Sequence, residues 1–422
     1  MNTSEYPFIE KQDPEVYAAL LGEEERQKFG LELIPSENYV SRAVREANSS
    51  IFTNKYSEGY PGKRYYGGQH FTDIVENVAR DRVKKLFNCG YANVQPHAGA
   101  PANVALYFAL LEPGDTILGL DLSHGGHLTH GHPLTHVAKV FKFIGYKMKN
   151  PDTGEFDFDE IRRLAIEHKP KLLLAGFSAY SRELDYAKFA EIAKEVGALT
   201  MMDAAHVAGL IAGKAHKNPF DYGFDIITST THKTLRGPRG GMILTNNEAI
   251  AKKVDKSIFP GLQGGPLMNA VAAKAVCFGE ALSPKFEVYA HQVIKNAQAM
   301  AKVFQDGGVR LMGGGTDNHL VLADLRALTI DGHTAETLLD TVGITLNKNM
   351  VADDSGTALK PSGIRFGTPA ITTRGFAEKE CIHVAEIMLS ALKNPTDVTL
   401  HRKLHQEVRD LASAFPIPDV MI

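Results

Sequence analysis

A lysine stands just past an apolar run, among hydroxyls and glycines. The run is Phe224-Asp225-Ile226-Ile227, and the lysine is Lys233 in Ser229-Thr230-Thr231-His232-Lys233-Thr234-Leu235, with Gly237-Pro238-Arg239-Gly240-Gly241 after it. An amine at the end of a buried strand is badly sited for a solvated surface charge. It is well sited to hold an aldehyde as a Schiff base. Asp203 closes a second apolar run, Leu199-Thr200-Met201-Met202, and His206 follows three residues on. Ligands of open α/β sheets sit outside the carboxyl ends of strands. Adjacent strands ending near Asp203 and Lys233 would therefore address opposite parts of one ring-sized ligand. A carboxylate there can pair with a protonated ring nitrogen and make a pyridine ring a better electron sink. Alone, Asp203 is as readily a helix N-cap with a core histidine beside it. Beside Lys233 it points to pyridoxal phosphate, the cofactor that needs both partners.

A phosphate needs a cradle. Gln95-Pro96-His97-Ala98-Gly99-Ala100-Pro101-Ala102-Asn103 has small residues that let backbone N–H groups approach, and Pro101 is suited to open a helix whose N-terminus favours an anion. Gly261-Leu262-Gln263-Gly264-Gly265-Pro266 is a second loop of this kind. The segment Ser123-His124-Gly125-Gly126-His127-Leu128-Thr129-His130-Gly131-His132 is dense in histidine. Its spacing matches no zinc-binding helix, no cysteine is near, and Asp121 is the only carboxylate close in sequence. No metal is expected; the segment reads as a loop that sets an imidazole against the cofactor ring. Arg365, in Ser362-Gly363-Ile364-Arg365-Phe366-Gly367, suits a bidentate carboxylate clamp, as an amino-acid substrate requires.

These residues need a sheet to position them. Strand signals at 116–120, 172–175, 199–202, 226–228 and 241–244 alternate with helices such as 74–87, 101–111 and 186–196, which means a mostly parallel sheet covered on both faces. Residues 12–30 read as a charged helix. Residues 54–68, rich in tyrosine and glycine, have neither helical nor strand period and read as a functional loop. After about residue 282 the pattern changes: helices at 286–304, 335–341, 378–392 and 400–411 accompany strands at 320–325 and 364–369, a smaller α+β unit. The expected division is an N-terminal arm, 1–58, a large cofactor-binding α/β domain, 59–282, and a small C-terminal α+β domain, 283–422. The 422 residues are 44% hydrophobic and 23% charged with net charge −3, which excludes disorder and a broad basic field for nucleic acid. Cys89, Cys277 and Cys381 lie far apart, so free thiols in a reducing cytoplasm are expected. The opening Met1-Asn2-Thr3-Ser4-Glu5-Tyr6 lacks the basic and apolar regions of a secretory signal, and no run reaches the ~18 apolar residues of a membrane span.

The motifs Leu33-Ile34-Pro35-Ser36-Glu37-Asn38-Tyr39, Asn54–Gly68, His124–Gly131, Asp203–Gly209, Thr230–Gly241, Gly315-Thr316-Asp317-Asn318-His319 and Gly363-Ile364-Arg365 together resemble serine hydroxymethyltransferase of bacterial length, a fold-type I pyridoxal phosphate enzyme with a seven-stranded, mostly parallel sheet. By that resemblance Lys233 carries the cofactor and Asp203 pairs with its ring nitrogen. His127 stacks on the ring, and His206 lies near its phenolic oxygen and the substrate carboxylate. Ser178, Gly99, Ala100 and His232 line the cofactor. Tyr56, Gly264 and Gly265 reach the phosphate from a neighbouring subunit. Ser36 and Arg365 hold the substrate carboxylate, and Tyr66 lies close to the substrate. Glu58 is the acid–base group acting on the serine hydroxyl or the folate, its pKa raised by burial against Tyr65 and Tyr66. Thr230 and Arg239 shape the site around Lys233. Leu122, Gly126, His127, Leu128, Tyr65 and Asn349 are folate contacts.

The implied reaction moves the hydroxymethyl carbon of serine to tetrahydrofolate, leaving glycine, in one-carbon and amino-acid metabolism. The implied assembly is a homo-oligomer with shared sites, at least a dimer. Alternatives are a folate-independent aldolase of the threonine type, an α-methylserine hydroxymethyltransferase, and a pyridoxal phosphate-binding protein without turnover; the 54–68 segment favours the transferase. The chain departs from the family in three places. Ala98 and Ala100 stand where many members have serine, leaving backbone N–H groups to bind the phosphate. Met350-Val351-Ala352 replaces a hydroxyl-Val-Pro sequence, and Thr357-Ala358-Leu359 a Ser-Pro-Phe sequence.

Overall fold

Leu172-Leu173-Leu174-Ala175 has no polar side, and a strand of that kind needs cover on both faces. The computed structural model, which describes residues 6–418, places it inside a seven-stranded sheet. The opening residues Met1 to Glu5, on which the reading about a secretory signal rests, lie outside the described residues. The strands are β1 (Tyr91–Asn93), β2 (Thr116–Leu120), β3 (Lys142–Tyr146), β4 (Leu172–Gly176), β5 (Leu199–Asp203), β6 (Ile226–Thr230) and β7 (Gly241–Thr245). Their spatial order is β1-β7-β6-β5-β4-β2-β3, and only β7 runs against its neighbours. Successive residues feed opposite cores: Leu172, Leu174, Met201, Ile226 and Ile243 face one cluster with Leu106 and Tyr107, while Leu173, Ala175, Met202, Ile227 and Leu244 face another with Phe189 and Phe278. That alternation is the period-two geometry of a pleated strand.

Helices cover both faces. Gly99–Leu110 and Glu248–Lys256 pack on one; His70–Phe87, Tyr186–Val196 and Met268–Ala281 pack on the other. The 99–110 helix begins two residues before the expected Pro101, so Gly99 and Ala100 form its first turn. The expected helix 12–30 is two helices, Pro7–Gln12 and Pro14–Phe29, divided at Asp13. The Asp13 carboxylate caps Val16 N–H at 3.1 Å and Pro14 opens the second helix, a pairing that starts a helix rather than continuing one.

Beyond helix Pro284–Asp306, four antiparallel strands form a second sheet that includes Leu320–Asp324, Asn347–Asn349 and Gly363–Gly367. Helices Glu378–Lys393 and Val398–Ala414 share its core with Phe304, Phe366 and Met388. Leu31 and Leu33 sit in that same core, because Leu31–Glu32 pairs in parallel with Ile344–Thr345. Chain from the arm is thus built into the C-terminal layer. No helix among the described residues is long and apolar enough to cross a membrane.

Candidate active site

Parallel strands carry their carboxyl ends to one edge, and β2, β4, β5 and β6 deliver Leu122, Ser178, Asp203 and Lys233 there. Asp203 pairs in register with Thr228 on β6 and Gly176 on β4. Gly176 has φ 132°, and a Cβ on it would lie 2.6 Å from the Asp203 carbonyl oxygen, so the strand end beside Asp203 has room only for glycine.

The turn holding Lys233 is tied at several points. Gly237 N–H donates to the Thr231 carbonyl at 2.7 Å, Thr234 Oγ1 donates to the His206 carbonyl at 2.8 Å, and Asn38 Nδ2 donates to the Lys233 carbonyl at 3.1 Å. Gly209 lets the 206–212 segment come this close, since a Cβ there would sit 2.1 Å from Thr234. Burial pushes the Lys233 ammonium down from 10.5 to about 8; Asp203 opposes the shift, and Arg365 and Arg239 add to it. A fraction of the amine is therefore neutral near pH 8, as a nucleophilic lysine requires.

Asp203 is buried and accepts from Asn103 Nδ2 at 2.8 Å and His130 Nε2 at 3.1 Å. Burial alone would raise its pKa. The hydrogen bonds from His130 and Asn103 and the neighbouring His127 bring it well below the ordinary carboxylate range, so it stays charged. Asn103 is itself fixed by Thr228 Oγ1 at 2.7 Å. Neither Asn103 nor His130 was expected at this point. His130 lay in the histidine-dense segment, and Asn103 in the helix after the cradle, but no local pattern links either to a carboxylate about 70 to 100 positions away.

His127 caps the short helix Leu128–His130 through Nδ1, which lies 2.8 Å from Thr129 Oγ1. Burial lowers its pKa to about 4, so its ring is neutral. His127, His130 and Asp203 converge closely enough to resemble a metal site, bringing in a carboxylate remote in sequence. His127 Nδ1 is already engaged with Thr129 Oγ1, and Asp203 Oδ2 with Asn103 and His130, so these atoms already serve one another and their neighbours, while His127 Nε2 has no protein partner among the described residues.

Two cavities share the walls made by His127, Ser178, His206, Lys233 and Arg239. The smaller, about 220 Å³, also meets Gly99, Ala100, Asp203, Thr230 and His232. The larger, about 700 Å³, meets Ser36 and Arg365 on one side and Leu122, Gly126, Leu128 and Asn349 on another. Met350 and Ala358, from the two departures near residue 350, are also on its wall. Arg365 donates from Nε to Asn347 Oδ1 at 3.1 Å and from Nη1 to the Ser178 carbonyl, which leaves Nη2 without a protein partner among the described residues. Burial lowers its pKa to about 10, and it remains a cation at neutral pH.

The smaller cavity suits pyridoxal phosphate on four counts. It has a lysine amine and an anionic carboxylate on its walls. Ala98 supplies no side-chain cap to the 99–110 helix, so its first N–H groups are left for an anion. Ser178 Oγ and His232 Nδ1 are buried without a hydrogen-bond partner, which is the state of groups that await a polar ligand. Beneath the cradle, the buried Lys274 ammonium donates to the carbonyls of Val94, Pro96 and Gly241 at 2.7, 3.0 and 2.9 Å.

Tyr56, Glu58, Tyr65, Tyr66, Gly264 and Gly265 line neither cavity. They form a lobe of their own. Tyr56 donates to Glu58 Oε1 at 3.1 Å, the Tyr66 ring meets Tyr56 edge-on at 5.2 Å, Tyr65 leans on Phe259 at 5.4 Å, and Gly265 backs the Tyr56 ring. The expected burial of Glu58 against Tyr65 and Tyr66 is not present within the chain. Those rings are 74% and 48% exposed and pack elsewhere. Under the lobe, Arg64 bonds Asp73 at 2.9 Å, Glu76 at 2.6 Å and the Ser57 and Gly59 carbonyls, while Gln95 Nε2 joins Glu76 to Gly59.

A family model described as serine hydroxymethyltransferase matches residues 9–388. The chain belongs to the serine hydroxymethyltransferase family. That family comprises pyridoxal phosphate-dependent enzymes that transfer one-carbon units, and a match over nearly the whole chain assigns it serine hydroxymethyltransferase function. The mixed α/β architecture with its seven-stranded, mostly parallel sheet accords with the family.

Proposed function

We propose that this chain interconverts serine plus tetrahydrofolate with glycine plus 5,10-methylenetetrahydrofolate, using pyridoxal phosphate held at the ends of β4, β5 and β6. The carrying observation is that Lys233 and Asp203, an amine of lowered pKa and a fixed anion, face one cavity beside an uncapped helix N-terminus. Bound there, the cofactor would supply an electron sink for the pair released at the substrate α-carbon. Lys233 would hold the aldehyde carbon and later take or return a proton through its amine. Asp203, kept ionised by His130 and Asn103, would keep a proton on the ring nitrogen. The neutral His127 face would support the ring, and Ser178, His206 and His232 would bind its polar edge, with Thr230 and Arg239 closing the wall. Gly99 and Ala100 would meet the phosphate through backbone N–H groups.

Arg365 and Ser36 would orient the substrate carboxylate, which fixes the side-chain bond relative to the ring. The folate would occupy the larger cavity against Leu122, Gly126, Leu128 and Asn349. Glu58, Tyr56, Tyr65, Tyr66, Gly264 and Gly265 would act on the cavity of a second copy, Glu58 as acid–base group at the serine hydroxyl or the folate. Their distance from the cavities of their own chain and the exposed tyrosines support this, and make a dimer the smallest active form. The sheet order supports fold type I with three parts near 1–58, 59–282 and 283–422. Free Cys89, Cys277 and Cys381 suit a reducing cytoplasm.

Glu58→Gln tests the assignment. It should leave cofactor binding intact and slow tetrahydrofolate-dependent serine cleavage by roughly 10²- to 10⁴-fold, the range for loss of an acid–base group. Full activity in the variant overturns the role of Glu58. Wild-type serine cleavage that proceeds equally fast without tetrahydrofolate overturns the transferase reading in favour of an aldolase.

A further inference from the structure

Behind Lys233 lies a second histidine that no role above uses. The rings of His206 and His319 stack with centroids 5.3 Å apart, and His206 Nδ1 lies 3.1 Å from His319 Nε2. Both side chains are buried. Burial, with the charges of Lys233 and Arg365 adding to it, holds both far below the ordinary imidazole pKa. At neutral pH both rings are uncharged, so one nitrogen of the pair donates and the other accepts.

Two arrangements satisfy that bond. In the first, His319 donates from Nε2 and its Nδ1 is a bare lone pair; His206 accepts at Nδ1 and carries its own proton on Nε2. In the second, His206 donates from Nδ1, and His319 must carry its proton on Nδ1. That atom is buried with no partner. An orphaned buried N–H is rarer than an under-satisfied acceptor. His216 provides an internal comparison. Its Nε2 lies 3.1 Å from the Asp317 carbonyl, which can only accept, so its equally orphaned Nδ1 is the bare nitrogen. His206 lines both cavities, and its Nε2 has no protein partner among the described residues.

We propose that His319 is a positioning residue that fixes His206 as the Nε2–H tautomer, so that His206 presents a hydrogen-bond donor to an anionic oxygen of the bound substrate or cofactor. The ligand half of this rests on the proposed occupancy of the cavities; the tautomer half does not.

The tautomer is read from ¹H–¹⁵N correlation spectra of cofactor-loaded protein labelled in histidine, with His206 assigned by comparison with His206→Asn. A bare Nδ1 and a protonated Nε2 are expected, and the reverse overturns the proposal. His319→Phe keeps a ring and removes the donor. In that variant His206 should populate both tautomers. Either KM for serine or the cofactor dissociation constant should rise about 5- to 10-fold, the worth of one hydrogen bond, with kcat moving less. The first change places the anionic oxygen on the substrate and the second on the cofactor. His319→Gln, which can still donate, should recover to within about 3-fold of wild type. A folded His319→Phe protein with unchanged tautomer, KM and cofactor affinity overturns the proposal. If that variant does not fold, the wild-type spectrum and His319→Gln decide.

Discussion

At the ends of β5 and β6, the two groups at the centre of the cavity wall are held by partners in the same chain: Asp203 by Asn103 and His130, the Lys233 turn by His206, Thr231 and Asn38. The 54–68 lobe is tied as firmly at its base, through Arg64, Glu76 and Gln95, yet its tip lines neither cavity and leaves Tyr65 and Tyr66 uncovered. The contrast separates rigidity from completeness. The first region is preorganised around a cavity it encloses; the second is held firmly but borders no cavity of its own chain, which is what the proposed service to a second copy would require.

The largest effect should come from breaking the first region at its centre. Lys233→Gln should lower serine turnover by several orders of magnitude, since no other amine among the described residues lines the smaller cavity. The same change should stabilise the cofactor-free protein. Burial lowers the Lys233 pKa from 10.5 to about 8, so the folded state disfavours the charged amine. The full cost, ~3 kcal/mol, applies below pH 8 and disappears as the pH rises toward 10.5. Thermal melts between pH 7 and 10 should show wild type gaining stability relative to Lys233→Gln, and a constant difference would count against the shifted amine.

Next in size is the lobe. Arg64→Met leaves Glu76 buried without its ion pair and should cost about 3–5 kcal/mol in denaturant unfolding. If the lobe serves a second copy, mixed oligomers of Arg64→Met and Lys233→Gln chains should regain part of the turnover that each lacks alone, since one chain supplies an intact lobe and the other an intact cavity. No regain would mean that the two regions are one unit and the contrast is false. The smallest effect should come from Ala98→Ser. A hydroxyl at the uncapped start of the 99–110 helix should add about 1 kcal/mol of stability and tighten cofactor binding a few-fold. Weaker binding would mean that backbone N–H groups are better left free for the phosphate.

The comparison also explains which parts were legible in the sequence. Lys233, Asp203 and Arg365 end or occupy apolar strands flanked by small residues, a local pattern with a local cause. The inner strands and most long helices were legible for the same reason, since their periodicity reflects burial on definite faces; Met268–Ala281, buried on most sides, carries no such stripe and was not read. Strands β1 and β3 were not: β1 has three residues, and β3 sits at the sheet edge with Gly145 inside it. Asn103, His130 and His319 act through partners far along the chain, so no window of sequence contains both halves of the interaction. Glu58 stood out by its setting among tyrosines, but Tyr65 and Tyr66 are exposed rather than packed over it, and no local pattern tells a ring that covers its neighbour from one that does not.

Lys274 imposes an order on synthesis. Its ammonium gathers the carbonyls of residues 94, 96 and 241 from a helix that begins at Met268. While the chain emerges from the ribosome, the loop that precedes the 99–110 helix must wait for about 180 further residues before its last support arrives. Contacts that close such long intervals form late. A nascent chain ending before residue 274 can carry every element of the phosphate cradle, with Gly241 N–H on the Pro96 carbonyl at 2.9 Å, and still lack the ammonium that joins the Val94, Pro96 and Gly241 carbonyls. The support under the cradle is therefore complete only once the helix that begins at Met268 has been made and packed.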